Sequence, residues 1–237
     1  MPVIYDRKIQ IDVDDVLRGQ GAIPETVRKR SPKLVTIAEK SLIEAQELIK
    51  PIVIYKELAV ESYAHETLTL SDGSKLTGEY VKKFLHNSTK VIIAACTISE
   101  DLQDRVDEIV DNDIVYALAL NGAGSSAVEK LATDICDYFE KNAEAEGLTT
   151  TVPLNPGMIG WPVEIGQNQI FNILSSESDE IVINQNAIMH PFKSLSFVIG
   201  VSPENQEKVT PCDICSLRGS CIYHKHANKE ENPQPAE

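Results

Sequence analysis

Val91-Ile-Ile-Ala-Ala-Cys96-Thr-Ile98 is an almost unbroken apolar run. It is too short for a typical buried helix and rich in β-branched residues, so it predicts a strand buried on both faces. Such a strand needs a layer on each side. The neighbouring segments supply candidates. Ser99 is placed to cap a helix carrying Leu102, Val106, Ile109 and Val110. A longer helix follows over 114–141, with Val115, Leu118, Ala119, Val128, Leu131, Ile135 and Phe139 marking its buried face. Gly122 and Gly124 weaken that helix by roughly 1 kcal/mol each relative to Ala. Close helix packing is the favoured explanation of both, and backbone approach to a ligand is the alternative.

Toward the N-terminus, Ser31 and Pro32 suit the cap and first position of a helix that Pro51 stops. Residues 1–30 are charged and mixed, with short apolar stretches. Residues 53–60 predict a strand. Residues 66–70 and 75–77 predict a hairpin turning at Asp72-Gly73. Thr77 is a candidate cap for a short helix through Leu85. Toward the C-terminus, 149–154 predicts a strand and 167–174 a short helix. Residues 180–187 and 194–201 predict a second hairpin around His190-Pro191. Between them, Asn155-Pro-Gly-Met-Ile-Gly-Trp-Pro162 crowds two glycines and two prolines around the single Trp, which predicts a structured loop.

The chain has 237 residues, 42% apolar and 24% charged, with a formal net charge of -14. That is ordinary globular composition, long enough for a real core. The negative charge argues against nucleic-acid phosphate as the main partner. The opening residues lack the apolar core of a signal peptide, and no stretch approaches a membrane span, so a cytoplasmic protein without membrane attachment is expected. In that reducing compartment five cysteines, an odd number, do not form a disulfide framework.

Three of the five cluster in Cys212-Asp-Ile-Cys215-Ser-Leu-Arg-Gly-Ser-Cys221-Ile-Tyr-His224. Thiolates at this spacing can converge on one soft metal. Three readings stay open. They are an iron–sulfur cluster held by Cys212, Cys215 and Cys221 with a fourth ligand from elsewhere, a zinc site completed by His224, and unligated thiols in a mobile tail. Cys96 and Cys136 sit in apolar contexts and read as core residues. His65 and His86 read as surface residues, and His190 as a solvated turn residue. Lys193, Ser194 and Ser196 offer donors for a carboxylate or phosphate, although alternating exposure on a hairpin explains them equally well. No nucleophilic triad, phosphate-binding glycine loop or dinucleotide fingerprint is present.

Four stretches, in order, together resemble the activation (reactivation) domain of vitamin B12-dependent methionine synthase, in its stand-alone form. They are Ala94-Ala-Cys-Thr-Ile-Ser-Glu-Asp-Leu102, residues 118–132, the 155–162 loop and Met189-His-Pro-Phe-Lys-Ser-Leu-Ser196. The resemblance implies an α/β (α+β) fold, with a twisted, mainly antiparallel sheet flanked by helices over 1–205. Within it, 1–90 forms a helical and hairpin part and 91–205 the core. A Cys-rich segment over 206–224 and a disordered tail over 225–237 complete the chain. The resemblance also implies a domain that binds S-adenosylmethionine and docks over a corrinoid carried by a partner. The partner would be a corrinoid-binding protein or the modules of methionine synthase. There the domain assists reductive reactivation of the oxidised cofactor, with the chemistry belonging to the cofactor. The methyltransferase centre itself is not in this chain, so independent catalysis is not implied.

Asn155, Pro156, Gly157, Met158 and Trp161 are the binding residues that the resemblance implies. At two positions the chain departs from the family. The family loop carries Arg three residues before Pro-Gly and Tyr just after it, where this chain has Pro153 and Met158. An Arg would pair with the ligand carboxylate through two parallel bonds, and proline has no such group. The loop's shape is therefore expected with a changed S-adenosylmethionine pocket. The cysteine run also recurs in stand-alone relatives. Two further expectations come from other classes: a non-catalytic interaction module with structural zinc, and an S-adenosylmethionine-binding protein with a rearranged pocket.

Overall fold

A computed structural model describes residues 3–174, 178–203, 209–215 and 218. In chain order the elements are β1 (Val3–Tyr5), α1 (Val13–Gly19), α2 (Pro24–Arg30), α3 (Pro32–Leu48), β2 (Ile52–Ala64), β3 (Thr67–Leu70), β4 (Lys75–Thr77) and α4 (Glu79–Leu85). There follow β5 (Lys90–Thr97), α5 (Asp101–Ile109), α6 (Ile114–Ala145), β6 (Thr149–Thr150), α7 (Val163–Leu174), β7 (Val182–Ile183), β8 (Met189–His190) and β9 (Ser194–Ser202). The main sheet runs β4-β3-β2-β5-β9-β6, with β1 also on β2, and every pairing in it is antiparallel.

β5 is the strand expected from 91–98. Every residue of Val91 to Thr97 is buried. Its even-numbered residues Ile92, Ala94 and Cys96 face one core, with Phe197 and Ile199 of β9 beside them. Its odd-numbered residues Val91, Ile93 and Ala95 face a second core. This is the period of two of a strand. Helices α1, α3, α5 and α6 cover the first face, and α4, α7 and the 154–161 loop cover the second. A fully buried Val or Ile contributes roughly 1.5–3 kcal/mol, so β5 contributes to both cores at once. β2 pairs with β5 along its first half and with β3 along its second. An irregular register between Val60 and Ser62 separates the two pairings. A bulge there bends the strand and curls the sheet.

Residues 3–30 carry β1, α1 and α2, elements that the sequence reading did not place. Asp12 accepts from the Asp15 amide at 2.9 Å, and Asp15 accepts from the Asp12 amide at 3.0 Å. This reciprocal capping box starts α1. Pro24 opens α2. Other expectations need correction. Ser31 precedes α3 but makes no cap bond with its side chain. Thr77 ends β4, and Gly78 stands at the cap of α4. Ser99 turns the chain at φ +75°, and α5 begins after Glu100. The strand expected over 149–154 is cut to β6 and a single bridge from Leu154 to Val198. The second hairpin is only β7 with β8, while β9 leaves it to pair with β5. β9 has β5 along one edge and β6 with the Leu154 bridge on part of the other, and eight of its nine residues are buried.

α6 spans 32 residues, about 48 Å at 1.5 Å per residue. Asp113 caps it by accepting from the Tyr116 amide at 3.0 Å. Val115 and Leu118, expected on its buried face, are 43% and 50% exposed. Its glycines are packing residues. A Cβ on Gly122 would fall 2.8 Å from the Val16 carbonyl oxygen, and one on Gly124 would fall 2.6 Å from a Leu102 methyl. A Cβ on Gly19 would stand 2.1 Å from the Gly122 carbonyl oxygen. α1 and α6 therefore touch backbone to backbone. Gly19→Ala should destabilise the protein by about 2–3 kcal/mol through overpacking against backbone, against about 1 kcal/mol for Gly21→Ala through backbone strain alone. Gly21 has open space around it, but its φ of +78° sets a modest backbone penalty. Urea denaturation of both variants checks the difference.

Candidate functional site

The 155–162 loop is built by its own residues. The Gly157 amide donates to the Trp161 carbonyl at 2.8 Å, and the Trp161 amide to the Met158 carbonyl at 3.0 Å. The Asn155 side-chain amide donates to the Ser196 carbonyl at 3.1 Å, which ties the loop to β9. Pro156 packs against Gly166 of α7, where an added Cβ would fall 2.8 Å from the proline Cβ. Met158 is half-buried against the second core, and its sulfur lies 3.5 Å from the Asn155 amide. Trp161 is fully buried, with its indole N–H donating to Gln169 at 3.0 Å. Gln169 also accepts from the Thr77 amide. Of the five loop residues singled out in the sequence, only Gly157 stands exposed at the crest. It holds φ +100°, a conformation glycine adopts freely. The other four build the loop that presents it. Exposed Ile159 and Val163 flank the crest.

The cysteine segment meets the same region through α4. The Glu79 amide donates to the Gly160 carbonyl at 3.2 Å. The next residue, Tyr80, donates its hydroxyl to the Ile214 carbonyl at 3.3 Å. Ile214 is buried in the second core, which also holds Trp161. Consecutive residues of one short helix thus hold the loop on one side and the cysteine turn on the other. In that turn the Cys215 amide reaches the Cys212 carbonyl at 3.4 Å, and both side chains are exposed. Asp213 accepts from Thr210 and pairs with Arg218. Cys221, His224 and the tail over 225–237 lie outside the described residues. No group of three or more metal-ligating side chains forms among the described residues. Two exposed thiols on one turn suit a soft metal's first two ligands.

The three donors from the 193–196 stretch separate. Ser194 donates to the Pro191 carbonyl at 2.6 Å and Ser196 to Gln167 at 2.9 Å, both as buried structural bonds. Lys193 crosses to α6, where its ammonium donates to Asn121 Oδ1 at 2.7 Å and Ser125 Oγ at 3.0 Å. Burial pulls its pKa below the usual lysine value. Asn121 and Ser125 were not singled out in the sequence, where both read as interior helix residues. His190 is half-buried, with its ring 5.1 Å from that of Phe192. His65 and His86 are exposed, as expected. A recess of about 300 Å³ lies at the other end of β5, between Lys90, Glu57 and Glu146. None of the candidate binding or metal residues singled out in the sequence lines it.

No protein-family model matches this chain, and no curated protein matches it. Among solved structures, it is similar to the crystal structure of the MetH reactivation domain bound to AdoHcy. The TM-score is 0.63 at 10% sequence identity, covering 88% of this chain and 81% of that one. The likeness shows the fold: a curled antiparallel sheet flanked by helices. No helix among the described residues is long and apolar enough to cross a membrane.

Burial divides the cysteines. The Cys96 and Cys136 thiols are both pushed up to about 12, chiefly by desolvation. They are held as thiols at neutral pH and are poor nucleophiles. In native protein at pH 8, a thiol-reactive disulfide reagent should modify Cys212 and Cys215 at least about a hundredfold faster than Cys96 and Cys136. The latter two should react at comparable rates only after denaturation, as peptide mapping would show.

Proposed function

We propose that this protein is an accessory of corrinoid-dependent methyl transfer. It docks on a corrinoid-binding protein or on modules of methionine synthase and assists reductive reactivation of the oxidised corrinoid. The observation that carries this reading is α4, whose adjacent residues Glu79 and Tyr80 hold the 155–162 loop and the cysteine turn. Its setting is a fold similar to a reactivation domain that binds AdoHcy. We assign an S-adenosyl compound to the loop's exposed crest at Gly157. The backbone fits a close approach there, because glycine has no Cβ to exclude a ligand. Pro153 offers no cation, so the ligand carboxylate is met differently from the arrangement in the family that the loop resembles.

The cysteine turn is the second part of the proposal. Cys212 and Cys215 would hold an iron–sulfur cluster, with Cys221 as third ligand. Such a cluster supplies a low-potential electron. Ile214 and Tyr80 hold the turn against the body, and the two thiols face outward. The same anchoring also favours a second reading, an interaction module in which Cys212, Cys215, Cys221 and His224 bind a structural zinc.

Metal analysis with absorbance and EPR of anaerobically purified protein separates the two readings. Iron and sulfide, with a reducible EPR signal lost in Cys212→Ser, are expected. A colourless protein carrying one zinc would sink the relay. Calorimetry with AdoHcy tests the loop. Saturable binding is expected, weakened about tenfold or more by Gly157→Ala, since φ +100° strains any residue with a Cβ. A Cβ there would also stand 3.1 Å from a Val163 methyl. Pull-down with a corrinoid protein checks the docking.

A further inference from the structure

Lys193 is a half-buried ammonium in a chain with a formal charge of -14, yet its described partners are neutral. Its donors go to Asn121 Oδ1 and Ser125 Oγ. An ammonium has three donors, so one is left over. With Oδ1 turned to the lysine, Asn121 keeps two amide donors on Nδ2. Among the described residues no acceptor meets either group. Ser125 is satisfied, since its hydroxyl also donates to the Asn121 carbonyl at 3.1 Å. Burial lowers the Lys193 pKa, and no carboxylate pairs with its ammonium among the described residues. A partly desolvated cation is unfavourable unless something compensates it.

The surroundings fit a ligand site better than a simple tether. Ile114, Leu118, Asn121 and Ser125 follow one another at spacings of four, three and four, which places them on one stripe of α6. The stripe begins with Ile114 and Leu118, 69% and 50% exposed, and ends at the polar pair beneath Lys193. Phe192, beside Lys193 in the chain, is 57% exposed. A surplus of donors thus lies next to exposed apolar side chains.

We propose that Lys193 and Asn121 form an anion-binding subsite that takes an anionic oxygen, from a carboxylate or a phosphate, on a ligand whose apolar frame lies along Leu118. Lys193 supplies the charge, Asn121 Nδ2 supplies the second donor, and Ser125 fixes the ammonium. The subsite lies on the α6 face of the sheet. Trp161 and its loop lie on the other face, so this site stands independently of the function proposed above.

Thermal melting of the full chain in sodium phosphate or sodium acetate, at constant ionic strength set with potassium chloride, tests the subsite. Side-chain amide NMR of Asn121 follows the same titrations. A saturable rise in midpoint with saturable movement of the Asn121 Nδ2 signals is expected. The ion that saturates at lower concentration identifies a phosphate or a carboxylate source. Asn121→Asp keeps the acceptor for Lys193 and supplies the missing charge. It should weaken anion binding by about tenfold or more, the factor expected for one charge-assisted hydrogen bond, without lowering the midpoint in anion-free buffer. Lys193→Gln should give the same loss of binding, followed in the melts. The proposal is overturned if neither ion gives a saturable response, or if both variants respond to the anions as wild type does.

Discussion

A strand that water reaches on neither face nor edge is the constraint on which this molecule depends. β5 has β2 along one edge and β9 along the other. Its seven residues from Val91 to Thr97 are buried. Every peptide group in it must therefore find a partner within the sheet, because an unpaired buried amide or carbonyl is costly. Every side chain must find a covering layer. The helices α1, α3, α5 and α6 supply one layer, and α4, α7 and the 154–161 loop supply the other. Sheet order, two cores and a 32-residue helix laid across one face all serve that dry strand.

Both candidate sites sit where the layers meet the same end of the sheet. β9 begins at Ser194, opposite Thr97 at the close of β5. Just before it, Lys193 turns to α6 on one side. Just after it, Ser196 receives the Asn155 side chain from the loop. Lys193 reaches α6 with its side chain and Ser196 holds the loop with its main-chain carbonyl, so one short stretch serves two surfaces. The backbone packing of Gly19 on Gly122 seats α6 close to α1. Asn121, the residue before Gly122, is the one that reaches Lys193.

Strong periodicity was readable from the sequence, and pairing partners were not. The run at 91–98, the long helix from Ile114 and the Asp72-Gly73 hairpin appear in the structure close to where the pattern places them. The reactivation-domain fold was legible as well, from four short stretches that no single-motif test would separate from chance. β9 was legible as a strand but not in its pairing, because alternation in a chain says nothing about which edge it meets. α1 was overlooked although Asp12 and Asp15 carry a capping box, since its apolar residues are only Val13, Val16 and Leu17. Val115 and Leu118 fit a buried stripe by spacing alone. In the same turn Ala117 is buried and Tyr116 reaches Glu44 of α3, so Val115 and Leu118 stand on the helix's open side. The 155–162 stretch was legible as a structured loop, from its glycines and prolines around Trp161. The pairing of Lys193 with Asn121 was not, for it joins residues 72 positions apart.

The contact between Tyr80 and Ile214 has a consequence of its own. A C-terminal segment free in solution would spread its thiols through a large volume. With Ile214 seated in the second core, the chain is pinned one residue before Cys215 and two after Cys212. Cys212 and Cys215 are then confined to a few ångströms of the protein surface, beside the helix that holds the 155–162 loop. In the language of linked binding events, such a leash replaces diffusion with an effective concentration, on the order of millimolar for short flexible links and set here by one buried isoleucine. The cysteine turn thus keeps its place relative to the loop even when both lie on the surface of the same side of the sheet.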